Sequence, residues 1–209
     1  MSATVNPARP DAKEPLTVSG PTTERPGAGL PERHSEAPAP GEPISSHYNR
    51  CFGCGDDHPT GLHMHVTAGE GLTISAMFTV TEDHQGAPGL AHGGLLTAAF
   101  DEALGSLAWL LRKPMVTVRL ETEFRRPVPV GTTLSIAARV DRVVGRKIYT
   151  SAEGRVGGPD GQLVVRAAAV FVTVGMEHFL THGRSMDVEA ALQRDDLRDV
   201  ARRAFDVNP

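Results

Sequence analysis

Apolar and polar residues alternate along several stretches of this chain. Leu72, Ile74, Ala76, Phe78 and Val80 alternate with Thr73, Ser75, Met77 and Thr79, the period of a strand with one face in a core. Val116, Val118, Leu120, Thr122 and Phe124 alternate with Thr117, Arg119, Glu121 and Glu123 in the same way. Residues 133–144, 147–156 and 162–174 have β-type composition, and residues 62–67 form a shorter candidate. Gly145 and the run Gly157-Gly158-Pro159-Asp160-Gly161 supply turns between them. Connections this short join antiparallel neighbours, so an antiparallel sheet is expected.

One segment breaks the β rhythm. Between Gly93 and Lys113 apolar residues fall on almost every side, as in a helix buried nearly all round. Gly93-Gly94 opens it, Arg112-Lys113 complements its C-terminal dipole, and Pro114 stops it. The pattern predicts an α+β fold, an antiparallel sheet wrapped around one long central helix. A second, amphipathic helix is expected from Ser185 to Phe205, with Ser185 as N-cap and Val188, Leu192, Val200, Ala201 and Phe205 as its apolar stripe. It would pack on the core or on a partner subunit.

Composition divides the 209 residues into three parts. Residues 1–43 hold nine of the 16 prolines and no aromatic residue, so they cannot bury enough surface to offset their ordering entropy. They are expected to be a disordered Pro-rich tail. Residues 44–175 carry the folded domain, and residues 176–209 a C-terminal helical extension. The tail lacks an apolar signal-peptide core, and its six acidic residues argue against a transit peptide, so a cytoplasmic location is expected. A net charge of −4 is of the wrong sign for a nucleic-acid binder. Two cysteines exclude a disulfide scaffold. The most apolar run is interrupted by Asp101 and Glu102, so no membrane span is expected.

Asp101 is the most informative residue. A carboxylate in the middle of a buried helix costs several kcal/mol unless it is paired, hydrogen-bonded or neutralised. It is either satisfied by a neighbouring Thr, Arg or backbone group, or it is a reactive acid, base or nucleophile. Glu102 points about 100° away on a helix and is expected to be exposed or paired. His92-Gly93-Gly94 stands at the start of the same helix, where open backbone N–H groups and the dipole can hold a developing negative oxygen. Gly93 and Asp101 lie eight residues apart, about 12 Å along the axis, so one carbonyl cannot easily meet both in one chain. Two such helices packed antiparallel about a two-fold axis would bring one helix start beside the other helix middle. The spacing therefore predicts a dimer with shared sites.

Cys51-Phe52-Gly53-Cys54-Gly55, Pro59-Thr60-Gly61-Leu62, Gln85-Gly86-Ala87-Pro88-Gly89-Leu90-Ala91-His92-Gly93-Gly94 and Asp101-Glu102-Ala103-Leu104-Gly105 follow one another along the chain. Together they resemble the hotdog-fold acyl-CoA thioesterases, in the branch of the phenylacetate-pathway and THEM4-like enzymes. Arg126-Pro127-Val128-Pro129-Val130-Gly131 also fits that family, and the resemblance runs from Cys51 to Val174. It implies hydrolysis of an acyl-CoA thioester to free acid and CoA in lipid metabolism, by a homodimer or dimer of dimers, with no metal or organic cofactor. Gly93 or Gly94 would polarise the thioester carbonyl, and Asp101 of the other subunit would act as general base or nucleophile. His92 would form the site by holding its loop.

The resemblance also implies a Thr sixteen residues after the Asp, and Thr117 stands there. Its strand parity is opposite to the apolar set, so either a bulge re-aims it or Thr122 takes its place. Gln85 is a candidate substrate contact. Arg126, beside the Pro-Val-Pro-Val-Gly turn, is the candidate for the CoA phosphates.

Cys51 and Cys54, with His58, His63 and His65 nearby, leave three readings open: a zinc site, a redox dithiol, or a loop packed over the helix or acyl pocket. The alternative function is a non-catalytic acyl-CoA or lipophilic-ligand binding protein on the same fold. A hydratase or dehydratase is disfavoured, because Ser106 stands where the Asp-x4-His pairing of those enzymes would need a histidine.

Overall fold

The structure is a computed structural model that describes residues 29–193. Its main sheet has seven antiparallel strands. In chain order these are β1 (Pro43–Ile44), β2 (His65–Ala68), β3 (Thr73–Thr79), β6 (Met115–Phe124), β7 (Thr133–Val144), β8 (Lys147–Val156) and β9 (Gln162–Thr173). They lie in the order β1-β2-β3-β7-β8-β9-β6, and a small hairpin of β4 (Gln85–Ala87) and β5 (Leu90–Ala91) stands apart. The alternation in the sequence is therefore realised as a sheet whose inner face packs on helix α1 (Gly93–Gly105).

Phe100 of α1 is fully buried, and the sheet makes room for its ring at Gly154 of β8, where a Cβ would stand 2.7 Å from Phe100 Cζ. Glycine in a strand centre usually weakens the strand, and here it allows close approach of the helix.

The helix departs from the expectation of burial nearly all round. Leu96, Ala99, Phe100, Ala103, Leu104 and Leu107 form the buried stripe, with the 3–4 spacing of one helix face. The opposite stripe, Gly94, Ala98, Asp101, Gly105 and Ala108, is only partly covered by its own chain. One sheet can cover only one side of a cylinder, so the second apolar side stays half-open. The expected helix to Lys113 also breaks at Ser106–Leu107 and resumes as α2 (Ala108–Leu111). Arg112 ends α2 in the left-handed conformation, with its guanidinium 5.9 Å from the Trp109 ring centroid. Residues 93–111 have the length and mean hydropathy of a membrane-crossing helix, but half of that window is buried inside the protein as the core helix.

The two ends correct the sequence reading further. The last part of the presumed tail is attached to the domain: the Arg33 guanidinium donates to Gly69 O (2.6 Å), His34 N–H to Leu110 O (3.0 Å), and Ala37 packs on the core. A few hydrogen bonds to a preformed surface suffice to dock this segment without a core of its own. Residues 1–28 lie outside the described residues. At the other end the single helix expected from Ser185 is preceded by α3 (Met176–His182), and α4 covers Ser185–Leu192. Residues 194–209, including Val200, Ala201 and Phe205, lie outside the described residues.

Candidate active site

The register of β6 decides where Thr117 points. Thr117 pairs with Phe171 and Arg119 with Val170, so β6 spends two steps against one step of β9, and Val118 is the extra residue of a β-bulge. Phe171 faces α1, and directly paired residues share a face, so Thr117 faces α1 as well. Beyond the bulge Leu120, Thr122 and Phe124 take that face, paired with Ala169, Ala167 and Val165. The Thr117 hydroxyl donates to Asp101 Oδ1 at 2.7 Å. Of the two ways to resolve the parity conflict, the structure takes the bulge. Thr122 stays on the same face, and its Oγ1 is buried without a hydrogen-bond partner among the described residues.

Asp101 and Thr117 stand in the wall of a cavity of about 680 Å³. Its lining is mostly apolar, with Trp109, Met115 and Val116 on one side and Phe179 and Val188 of the C-terminal helices on the other. The Tyr48 hydroxyl donates to Asp187 Oδ1 (2.8 Å), tying α4 to the loop before Cys51. Hydrogen bonds from Arg184 and then Tyr48 hold the Asp187 carboxyl below its ordinary range.

At the start of α1, His92 is the N-cap and its Nδ1 accepts the Gly94 N–H at 2.9 Å. The Gly94 donor is thus engaged by the cap, which leaves Gly93 as the better candidate donor of the pair. Gly93 lines a second cavity of about 390 Å³ with Phe124, Arg125, Arg126 and Leu96. Arg126 therefore stands on the helix-start side of the molecule, away from the cavity beside Asp101. Gln85 is exposed, with its Oε1 accepting the Gly89 N–H (2.6 Å) and its Nε2 donating to Glu82 O (3.3 Å), so its amide braces its own hairpin.

The cysteine loop gathers partners that the sequence reading did not select. His47, Cys51, Cys54 and Glu102 bring one potential ligand atom each to within 4.8 Å of one another. His58, His63 and His65 are outside this group, and His58 instead meets the Phe52 ring edge-on. Glu102 is paired here rather than exposed, and burial raises its carboxyl to about 7. The hydrogen bond between the two thiols lowers Cys51 and raises Cys54. His47 precedes Cys51 by four residues, and that spacing was the available signal.

The long helix inside a wrapped antiparallel sheet defines a hotdog fold. Residues 88–161 match the Thioesterase superfamily. A putative esterase of Pseudomonas aeruginosa is 37% identical over 95 residues, 44% of this chain and 69% of that protein. An acyl-coenzyme A thioesterase, THEM4 of Xenopus laevis, is 32% identical over 88 residues, 42% of this chain and 39% of its own length. The crystal structure of a thioesterase superfamily protein superposes with a TM-score of 0.55 at 27% identity, covering 66% of this chain and 70% of that one. The chain belongs to the thioesterase superfamily. It spans about two fifths of the length of the first acyl-coenzyme A thioesterases it matches.

Proposed function

We propose that this protein hydrolyses an acyl-CoA thioester in a dimer whose two sites each combine Asp101 of one subunit with the helix start of the other. The observation that carries the reading is the hydrogen bond from Thr117 to Asp101 in the wall of an apolar cavity. A bulge inserted in an edge strand to aim one hydroxyl at one carboxylate is a device for orienting that carboxylate.

The chemistry follows from the placement. A water is deprotonated by Asp101 as it attacks the thioester carbonyl carbon. The carbonyl oxygen becomes an oxyanion, held by the Gly93 N–H and the positive end of the helix. Collapse of this intermediate breaks the carbon–sulfur bond, and the leaving thiolate takes up a proton. In the covalent variant Asp101 itself attacks and the resulting anhydride is hydrolysed by water. Thr117 fixes the carboxylate in either case. The acyl group fits the cavity of about 680 Å³, which is within the usual size range of a small-molecule pocket. Arg125 and Arg126 beside the Gly93 cavity would meet the CoA phosphates of the substrate.

The half-open stripe of α1 supports the dimer. Gly94, Ala98, Gly105 and Ala108 are small, so a second helix can approach closely along the row that contains Asp101. Val118 on β6, the last strand of the sheet, is 57% exposed and offers apolar surface nearby.

The test is a turnover screen of the full chain against short, medium, long and aromatic acyl-CoAs, with release of free thiol as the readout. Hydrolysis of at least one class that is lost in Asp101→Asn supports the reading. Tight acyl-CoA binding with no hydrolysis across the panel would establish the non-catalytic binding protein instead.

A further inference from the structure

We propose that His47, Cys51, Cys54 and Glu102 bind one zinc ion, which pins the loop before the first long strand to the central helix. Tetrahedral zinc with bonds of about 2.0–2.3 Å places its ligand atoms about 3.3–3.8 Å apart. Cys54 Sγ lies 3.2 Å from His47 Nδ1, Cys51 Sγ 3.4 Å from Glu102 Oε2, and His47 Nδ1 3.7 Å from Glu102 Oε1. The Cys54–His47 edge is thus near its required length, Cys51 and His47 each approach one oxygen of the Glu102 carboxylate, and one ligand atom from each residue lies within 4.8 Å of the other three. Two thiolates, an imidazole and a carboxylate are a ligand set that suits zinc better than the oxygen-seeking calcium or magnesium.

The surroundings are built for these four groups. Gly53 N–H donates to Cys51 Sγ and the Ser46 hydroxyl contacts Cys54 Sγ, both at 3.3 Å, the kind of outer contact that orients thiolate ligands. A Cβ on Gly53 would overlap the Glu102 carboxylate, and one on Gly55 would overlap Asn49 O. The Cys-Phe-Gly-Cys-Gly turn therefore needs both glycines to bring the sulfurs and the carboxylate together. On binding, the thiols release their protons to solvent.

Four protein ligands leave no open position, so the ion is structural. Its effect reaches the cavity through geometry. Glu102 is the residue next to Asp101, and Tyr48 in the same loop holds α4 through Asp187. The site is independent of the reaction proposed at Asp101, and its readouts do not use activity.

The full chain is purified under phosphine reductant from zinc-supplemented cells, and metal is measured by mass spectrometry. One zinc per chain is expected. Exchange for Co(II) should give the visible d–d bands of a tetrahedral site and the near-ultraviolet charge-transfer band of thiolate ligands, read on the unaltered chain so that no variant's folding decides the matter. Cys51→Ser and Cys54→Ser should lose the metal, and His47→Ala should weaken it by at least about tenfold. His63→Ala and His58→Ala should leave it unchanged. A reduced chain that holds no zinc and takes up no Co(II) overturns the proposal. So does a folded Cys51→Ser/Cys54→Ser chain that keeps stoichiometric metal.

Discussion

Thr117 and Asp101 are sixteen residues apart in sequence and 2.7 Å apart in space, because Val118 is an extra residue in strand β6. Removing the Thr117 hydroxyl while keeping the side-chain shape isolates this contact. A hydrogen bond to a charged group contributes about 1.5–3 kcal/mol, so Thr117→Val should lower kcat by about 10- to 100-fold if the carboxylate is oriented for attack. Asp101→Asn should lose more, about 10²- to 10⁴-fold, since it removes the proposed base itself. Both variants should melt within a few degrees of the parent. Unchanged kcat/KM in folded Asp101→Asn would remove Asp101 from the chemistry.

The two glycines at the helix start predict opposite outcomes. A Cβ on Gly94 would come within 3.1 Å of the His92 ring, so Gly94→Ala pushes that ring by a few tenths of an ångström and strains the cap. Straining that cap should cost up to about 1 kcal/mol, measurable in urea unfolding. A Cβ on Gly93 would find the Phe124 ring nearest, at 3.5 Å, an ordinary contact. Gly93→Ala should therefore keep stability while narrowing the space beside the donor, seen as a raised KM.

Gly154→Ala tests the fit of helix to sheet. The added methyl would stand 2.7 Å from Phe100 Cζ, in a ring that is fully buried. Overpacking of this kind costs about 1–3 kcal/mol, and thermal melting should show it. A variant as stable as the parent would mean that Phe100 has room to move.

Much of this architecture was written in the alternation of residue types. Strands β7 and β8 begin and end where the pattern says, since both are bounded by glycine or short polar turns. The Asp101–His92-Gly93-Gly94 relation was legible as helical spacing. The bulge was not, because Val116-Thr117-Val118-Arg119-Leu120 reads as unbroken alternation and only the register with β9 reveals the extra residue. Glu102 was also hidden: its partners His47, Cys51 and Cys54 come from a loop fifty residues earlier, and no local period connects them. Which face of α1 its own sheet leaves half-open is not legible for a different reason. Its apolar residues look the same in sequence whether their own sheet or a second subunit covers them.

The link between Tyr48 and α4 has a pH signature. Bonds from Arg184 and Tyr48 lower the Asp187 carboxyl in the folded state, so the ionised form favours docking of α4. The contribution is complete above the ordinary carboxyl value of 3.8 and is lost as pH falls through the lowered folded value. Amide exchange in residues 185–192, corrected for its intrinsic pH dependence, should therefore accelerate only in that acid range. Tyr48→Phe should move the onset upward, since it removes one of the two bonds that lower Asp187. An onset unmoved in Tyr48→Phe would show that Arg184 alone sets it.

The shared site can be tested by complementation. Proline is tolerated at the first position of a helix, where its missing N–H had no intrahelical partner. His92 has φ −69° and ψ 132°, which suits a residue preceding proline. Gly93→Pro should therefore fold while deleting the donor proposed for the oxyanion, at a cost of about 10²- to 10³-fold in kcat. Asp101→Asn should be inactive for a different reason, the loss of the proposed base. Co-expressed in equal amounts, the two chains should form mixed dimers, and in the proposed arrangement one site carries both defects and the other carries neither. Half of the dimers are mixed and half of their sites are intact, so about a quarter of the parent activity should return. No recovery in dimers shown by mass spectrometry to be mixed would place Gly93 and Asp101 in the same subunit's site, and the antiparallel arrangement of helices would have to be abandoned.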